Sequence, residues 1–190
     1  MFPPQRLECP NPTGCPVTPA LPRLKVTTLA AGTPLYRVYD GTWGYDEHNP
    51  GYGDARFSPF DDPGAGHRVP SMYLAATPAA ALLETVFHEV HQSSSRIIYE
   101  RDLRGKLLAH LTLPSAARLG DLRDAELHRH HLTRDHVVAS PAEHYPCTRR
   151  LARGSWPLTG PGIRNLYDSP GRLLIDQVAE DLDALVEPEN

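Results

Sequence analysis

Cysteine is scarce in this chain: Cys9, Cys15 and Cys147 are the three among 190 residues. An odd and sparse set is no disulfide framework and fits a reducing compartment. Lysine is scarcer still, with Lys25 and Lys106 alone, so almost every cation is an arginine. No apolar run approaches the ~20 residues needed to cross a bilayer. The stretch MFPPQRLECPNPTGCPVTP holds no basic segment followed by an apolar one, so no secretory signal is read there and a cytoplasmic location is expected. A net charge of −4 argues against holding nucleic acid through the overall field, because neutralising phosphates needs clustered Lys and Arg. There is no glycine-rich phosphate loop of the Rossmann or Walker type, which argues against a dehydrogenase or an NTPase.

What is present is ordinary for a globular protein: 40% of residues are hydrophobic and 22% charged. The length suits one domain with a real core. Residues 1–23 are proline-rich and without hydrophobic period, and read as an irregular arm; residues 24–190 form the domain. Cys9 and Cys15 are spaced C-x5-C with no second ligand pair nearby, so an arm is preferred to a zinc site and no metal is expected. The arginine bias suits an anionic ligand, since a guanidinium holds phosphate or carboxylate in a planar fork. A GC-rich genome would produce the same bias.

PLYRVYD (34–40) alternates and reads as a first strand. A glycine- and aromatic-rich loop follows, GTWGYDEHNPGYGD, long enough to be functional. After ARFSPF and the loop DDPGAGHR, VPSMYLAA (69–76) reads as a strand running into a helix, TPAAALLETVFHEV. Thr77 is the expected N-cap and Pro78 the first helical residue. Leu82, Leu83, Val86, Phe87 and Val90 give that helix one apolar face. SRIIYERDLR and KLLAHLTL are expected as two strands around a turn at Gly105, with a helix near DLRDAELHRHHL. Ser140 to Glu143 has capping-box spacing for a helix ending near Gly154. GIRNLY and RLLID are late strands, and the EPEN tail is expected to fray. The fold class is α+β, with small antiparallel sheets flanked by helices.

Five polar residues sit where packing is expected: Arg37, Arg56, Tyr73, Glu84 and Ser169. Glu84 stands beside the apolar face of a strongly patterned helix, where a carboxylate is either paired or working. Ordinary pairing with His88 at i+4 would also explain it. His88-Glu89-Val90-His91 misses the i, i+4 geometry of a zinc protease. His128, His130, His131, His136 and His144 form a histidine-rich patch, read as a solvated helix face.

Taken together, LYR at 35–37, GDARFSP at 53–59, MYLAATPAAALLE at 72–84 and GIRNLYDS at 162–169 resemble the RES domain family over roughly residues 33–180. One departure stands out: Ala55-Arg56-Phe57-Ser58 replaces the usual Gly-Arg-Trp-Asn, keeping aromatic bulk but losing a glycine and an amide. The resemblance implies a fold similar to bacterial ADP-ribosyltransferase toxins, with NAD⁺ as substrate in a cleft. It implies cleavage at the nicotinamide–ribose bond, as the toxin of a toxin–antitoxin pair whose partner is a helix-turn-helix, Xre-like antitoxin. Cleavage develops oxocarbenium character on the ribose, which a nearby carboxylate stabilises. On this reading Glu84 and Arg37 are catalytic. Arg37 and Arg56 hold the ribose-phosphate side, Tyr73 packs on the nicotinamide, and Ser169 orients ribose or amide. Tyr36 and Tyr45 line the cleft. Three alternatives stay open: hydrolysis or phosphorolysis, ADP-ribosylation of a protein acceptor, and binding without turnover.

Overall fold

Large apolar and polar side chains alternate over PLYRVYD, and they build the expected strand with bounds Pro34–Asp40. The computed structural model describes residues 9–15, 25–49, 52–53, 59–62, 67–69, 71–88, 90, 96–138, 140–151, 163–165 and 185–187. In chain order its elements begin with β1 (Val26–Leu29), β2 (Pro34–Asp40), β3 (Phe60–Asp62), β4 (His67–Val69) and helix α1 (Pro78–Leu83). Next come β5 (Ile97–Tyr99), α2 (Glu100–Leu103), β6 (Lys106–Thr112), β7 (Ala117–Gly120), α3 (Asp124–Arg129) and α4 (Arg134–Val138). A turn of 3-10 helix (Ala142–His144) then leads into α5 (Tyr145–Leu151), followed by β8 (Ile163–Asn165) and β9 (Leu185–Glu187). The class is α+β, as expected. The described sheets are small and antiparallel except for one parallel pair, β5 with β9.

The chain divides into two compact units. One comprises Ala30–Glu47, Tyr73–Ser115 and Pro157–Asn190. Its sheet has the order β2-β6-β8, with Leu35 opposite Leu111 and Arg37 opposite Ala109. Tyr36 also exchanges both backbone hydrogen bonds with Ala75, at 2.8 and 2.9 Å. Val38 and Leu108 leave the sheet on one face and join Leu82, Phe87, Ile98 and Leu103 in a core. Each fully buried side chain of this kind contributes about 1.5–3 kcal/mol. Gly105 turns the chain into β6 with φ +72°, a conformation that disfavours any side chain.

Helix α1 starts where expected: the Thr77 hydroxyl accepts from the Ala80 N–H at 3.1 Å and Pro78 follows it. It stops at Leu83, well short of the stretch expected to be helical. The Thr85 hydroxyl donates to Ala81 O at 2.8 Å, and the Phe87 N–H reaches back to Leu82 O at 3.0 Å. Those bonds replace the helical ladder, as short hydroxyl side chains commonly do. The expected apolar face is therefore split. Leu82 and Phe87 are buried, whereas Leu83 is 37% exposed.

Other expectations need correction. SRIIYERDLR and KLLAHLTL are not a hairpin: α2 intervenes, β5 pairs with β9 and β6 with β2. β9 was not foreseen, because Leu185–Glu187 merges into the acidic tail. VPSMYLAA is no continuous strand; beyond β4 its described residues make isolated bridges at Ser71 and Ala75. β8 falls within GIRNLY, while RLLID lies outside the described residues.

The other unit comprises Met1–Leu29, His48–Met72 and Ala116–Trp156. It holds the antiparallel pairs β1-β7 and β3-β4, neither of which was anticipated: β3 and β4 take in both ends of DDPGAGHR, which was expected to be loop throughout. Leu127, Leu132, Val137 and Cys147 form its core, with Cys9, Cys15 and Leu122 packed against it. The expected capping box does not form. Pro141 is the N-cap of the 3-10 turn and has no side-chain capping bond. Glu126, 5% exposed, accepts from the Lys25 backbone N–H at 2.7 Å and from Arg129 at 2.9 Å, tying α3 to the residue before β1.

Candidate functional site

Arg37 leaves β2 beside Tyr39. Its guanidinium carbon lies 5.3 Å from the centre of the Tyr39 ring. Nη1 donates to Gly44 O at 3.2 Å and to Tyr45 O at 2.7 Å, so this side chain holds the loop that follows β2. The loop is also tied from within. Asp40 accepts from the Thr42 N–H at 3.0 Å, and Glu47 Oε2 from the Gly44 N–H at 2.9 Å. Burial lowers the Arg37 pKa, offset in part by Tyr39, Glu47 and Asp46, and burial raises that of Tyr39.

Glu84 caps the C-terminal end of α1 and is exposed. Its carboxylate makes no hydrogen bond or ion pair among the described residues, so the i+4 pair with His88 is not formed. Successive strand side chains alternate faces. Val38 packs under α1, so Arg37 leaves from the opposite face of β2, and the two side chains are not brought together. Tyr36 shares the Val38 face and stacks on His110, with ring centres 4.9 Å apart and planes 10° from parallel. Tyr73 is 45% exposed between the bridges at Ser71 and Ala75. Arg56 and Ser169 lie outside the described residues.

An open depression of about 250 Å³ sits beside these elements, lined by Val38, Tyr39, Thr85, Val86, Asp102 and Lys106. It adjoins the chain neighbours of Arg37 and Glu84, but none of the predicted site residues among those described lines it. Its volume is below the ~300–1,000 Å³ typical of small-molecule sites.

A second constellation, in the unit that holds α5, went unnoticed in the sequence. Cys9, Cys15, His144 and Cys147 bring their four ligand atoms within 4.8 Å of one another. Cys15 Sγ is 3.4 Å from Cys147 Sγ, and Cys9 Sγ is 3.9 Å from His144 Nδ1. Burial would raise the Cys9 thiol, but hydrogen bonds from His144, Cys147, the Asn11 backbone and Cys15 outweigh it and bring the pKa down to about 7. Cys147 is pushed up to about 12 by burial and by its two cysteine neighbours. The second ligand pair sought beside Cys9 and Cys15 thus stands more than 130 positions away. The available signal was the H-x2-C spacing of His144 and Cys147. Of the histidine-rich patch, His144 alone belongs to this group; His130 instead contacts Glu126 and His136 accepts from the Thr133 N–H.

No curated protein and no solved structure matches the chain. A match to the RES domain covers residues 33–164, taking in Arg37, Tyr73 and Glu84 and ending before Ser169. With well over half of its 190 residues inside that match, the chain belongs to the RES domain family.

Proposed function

We propose that this protein cleaves NAD⁺ between nicotinamide and ribose and acts as the toxin of a toxin–antitoxin pair. The observation that supports it best is the RES match spanning Arg37, Tyr73 and Glu84, with Glu84 carrying an exposed carboxylate, unpaired among the described residues, at the end of α1. A carboxylate left without a cationic partner is free to stabilise positive charge on a bound ribose. The C1′–N bond breaks with its electron pair passing to the pyridine nitrogen, so nicotinamide leaves neutral and needs no strong acid. Water or phosphate then attacks C1′, and the acceptor's proton goes to solvent.

Arg37 acts through the 41–47 loop that it holds and offers its remaining donors to the phosphates. Tyr73 offers its ring to the cationic heterocycle. Arg56 and Ser169 complete the ligand contacts, on a scaffold similar to the ADP-ribosyltransferase toxins. A helix-turn-helix antitoxin is the partner, inhibiting by covering the NAD⁺ site.

A second reading, NAD⁺ binding without turnover, is favoured by one observation: Arg37 leaves β2 on the face away from α1 and commits Nη1 to the Gly44 and Tyr45 carbonyls. The deciding experiment measures nicotinamide release from NAD⁺ with and without phosphate, for wild type and Glu84→Gln. Release by wild type, lost in Glu84→Gln, is the expected result, and dependence on phosphate marks phosphorolysis. NAD⁺ binding by calorimetry without release would establish the second reading instead. Label transferred from NAD⁺ to a protein in lysate would point to an ADP-ribosyltransferase.

A further inference from the structure

We infer that Cys9, Cys15, His144 and Cys147 form a structural zinc site, independent of the NAD⁺ reading. Zinc in closed sites takes four Cys or His ligands in a tetrahedron, at ~2.3 Å from sulfur and ~2.0–2.1 Å from nitrogen. Those bond lengths set ligand–ligand edges of about 3.8 Å between sulfurs and about 3.6 Å between sulfur and nitrogen. The Cys15–Cys147 edge, 3.4 Å, is slightly shorter than the first value and the Cys9–His144 edge, 3.9 Å, slightly longer than the second, each within a few tenths of an ångström. With all four atoms inside 4.8 Å there is room for one ion at their centre.

The surroundings fit a metal better than they fit four loose side chains. Cys9 and Cys15 flank a tight turn, closed by the Gly14 N–H donating to Asn11 Oδ1 at 3.2 Å. His144 turns Nδ1 to the cysteines, while Nε2 stands 3.4 Å from Glu143 Oε1. A carboxylate on the far nitrogen is the usual support of a ligating histidine, fixing its tautomer. Cys147 is wholly buried and His144 is 6% exposed, while Cys9 and Cys15 are half-buried. Soft thiolates with one imidazole in a tetrahedron select zinc over magnesium, calcium or manganese. The set is complete with four protein ligands, which makes the role structural.

Such an ion would clamp the 9–15 turn to α5 and to the core that Leu127, Leu132 and Val137 build around Cys147. A Cys15–Cys147 disulfide would tether the same two segments but would give Cys9 and His144 no part, and all three cysteines are free. Cys15 and Cys147, at 3.4 Å, are not bonded, a disulfide requiring ~2.05 Å.

The test uses the full chain, purified without added chelator and assayed for metal by mass spectrometry. One zinc per chain is expected, with loss of stoichiometric zinc in Cys147→Ser and Cys9→Ser. Because Cys147→Ser removes a core residue and can unfold the unit, a second measurement uses wild type alone. Cobalt(II), added to protein stripped of metal, should develop thiolate charge-transfer bands and the intense d–d bands of tetrahedral coordination, saturating at one equivalent. Glu143→Gln should leave the coordination spectrum intact and weaken zinc binding about 10-fold or more. Less than a tenth of an equivalent of zinc with no cobalt spectrum would overturn the proposal. So would a Cys15–Cys147 disulfide found by peptide mapping of freshly purified protein.

Discussion

Replacing Arg37 with alanine tests whether this side chain holds the loop that follows β2. The change removes two charged hydrogen bonds from Nη1, to Gly44 O and Tyr45 O, and the cation over the Tyr39 ring. Hydrogen bonds from a charged group are worth ~1.5–3 kcal/mol each, and a half-exposed cation–π contact ~0.5–1 kcal/mol. The 3.2 Å bond to Gly44 belongs at the bottom of its range and the site is half-buried, so the loss is about 2–4 kcal/mol. Borne by local opening, that is roughly 30- to 700-fold faster exchange. The reporters are the Gly44 and Glu47 amides, which donate to Glu47 Oε2 and Gly44 O within the loop. Hydrogen–deuterium exchange reads them directly, and the fluorescence of Trp43, 41% exposed, should shift toward that of free indole. Exchange within about threefold of wild type would refute the reasoning, since 2 kcal/mol cannot hide in that margin. Arg37→Lys sharpens the test. An ammonium has three donors and can reach both carbonyls, but it lacks the planar fork that phosphate binding uses. If Arg37 serves the loop alone, the lysine variant keeps its activity; if it also holds phosphates, NAD⁺ affinity falls while loop exchange stays slow.

Leu82→Ala should cost about 2–5 kcal/mol in urea denaturation, because Leu82 is fully buried, and Leu83→Ala less than about 1 kcal/mol. Equal losses would mean that α1 continues as a regular helix with both leucines on its packed face. Arg123 bonds Asp121 through a fork of 2.9 and 2.6 Å and through its backbone N–H, which holds the Asp121 pKa at about 2 against an ordinary 3.8. A depressed folded pKa means stability that is complete above about pH 4 and lost as the pH falls through about 2. Thermal unfolding across that window should therefore be steeper for wild type than for Arg123→Ala; identical slopes would contradict the assignment. Growth arrest on expression should disappear with Glu84→Gln while its melting temperature stays within about 2 °C of wild type, since an exposed unpaired carboxylate contributes little to folding.

Local chemistry was legible in the chain by itself. The alternation of PLYRVYD located β2 residue for residue, Thr77-Pro78 located the start of α1, and Gly105 located a turn that needs positive φ. Each depends on neighbours within four positions, and the family likeness rests on contiguous motifs, the longest being MYLAATPAAALLE. The end of α1 was not legible, because it depends on where the Thr85 hydroxyl and the Phe87 amide find acceptors once Phe87 is buried. Partnerships between distant segments were beyond the sequence altogether. Val26–Leu29 finds Ala117–Gly120, and Ile97–Tyr99 finds Leu185–Glu187, through backbone groups that every residue carries. Which face Arg37 leaves relative to α1 is likewise decided by packing, because alternation sets opposite faces but not which of them the helix covers. The same holds for the cysteines. Cys9 and Cys15 look unpartnered along the chain, and only folding carries His144 and Cys147 across more than 130 positions to meet them.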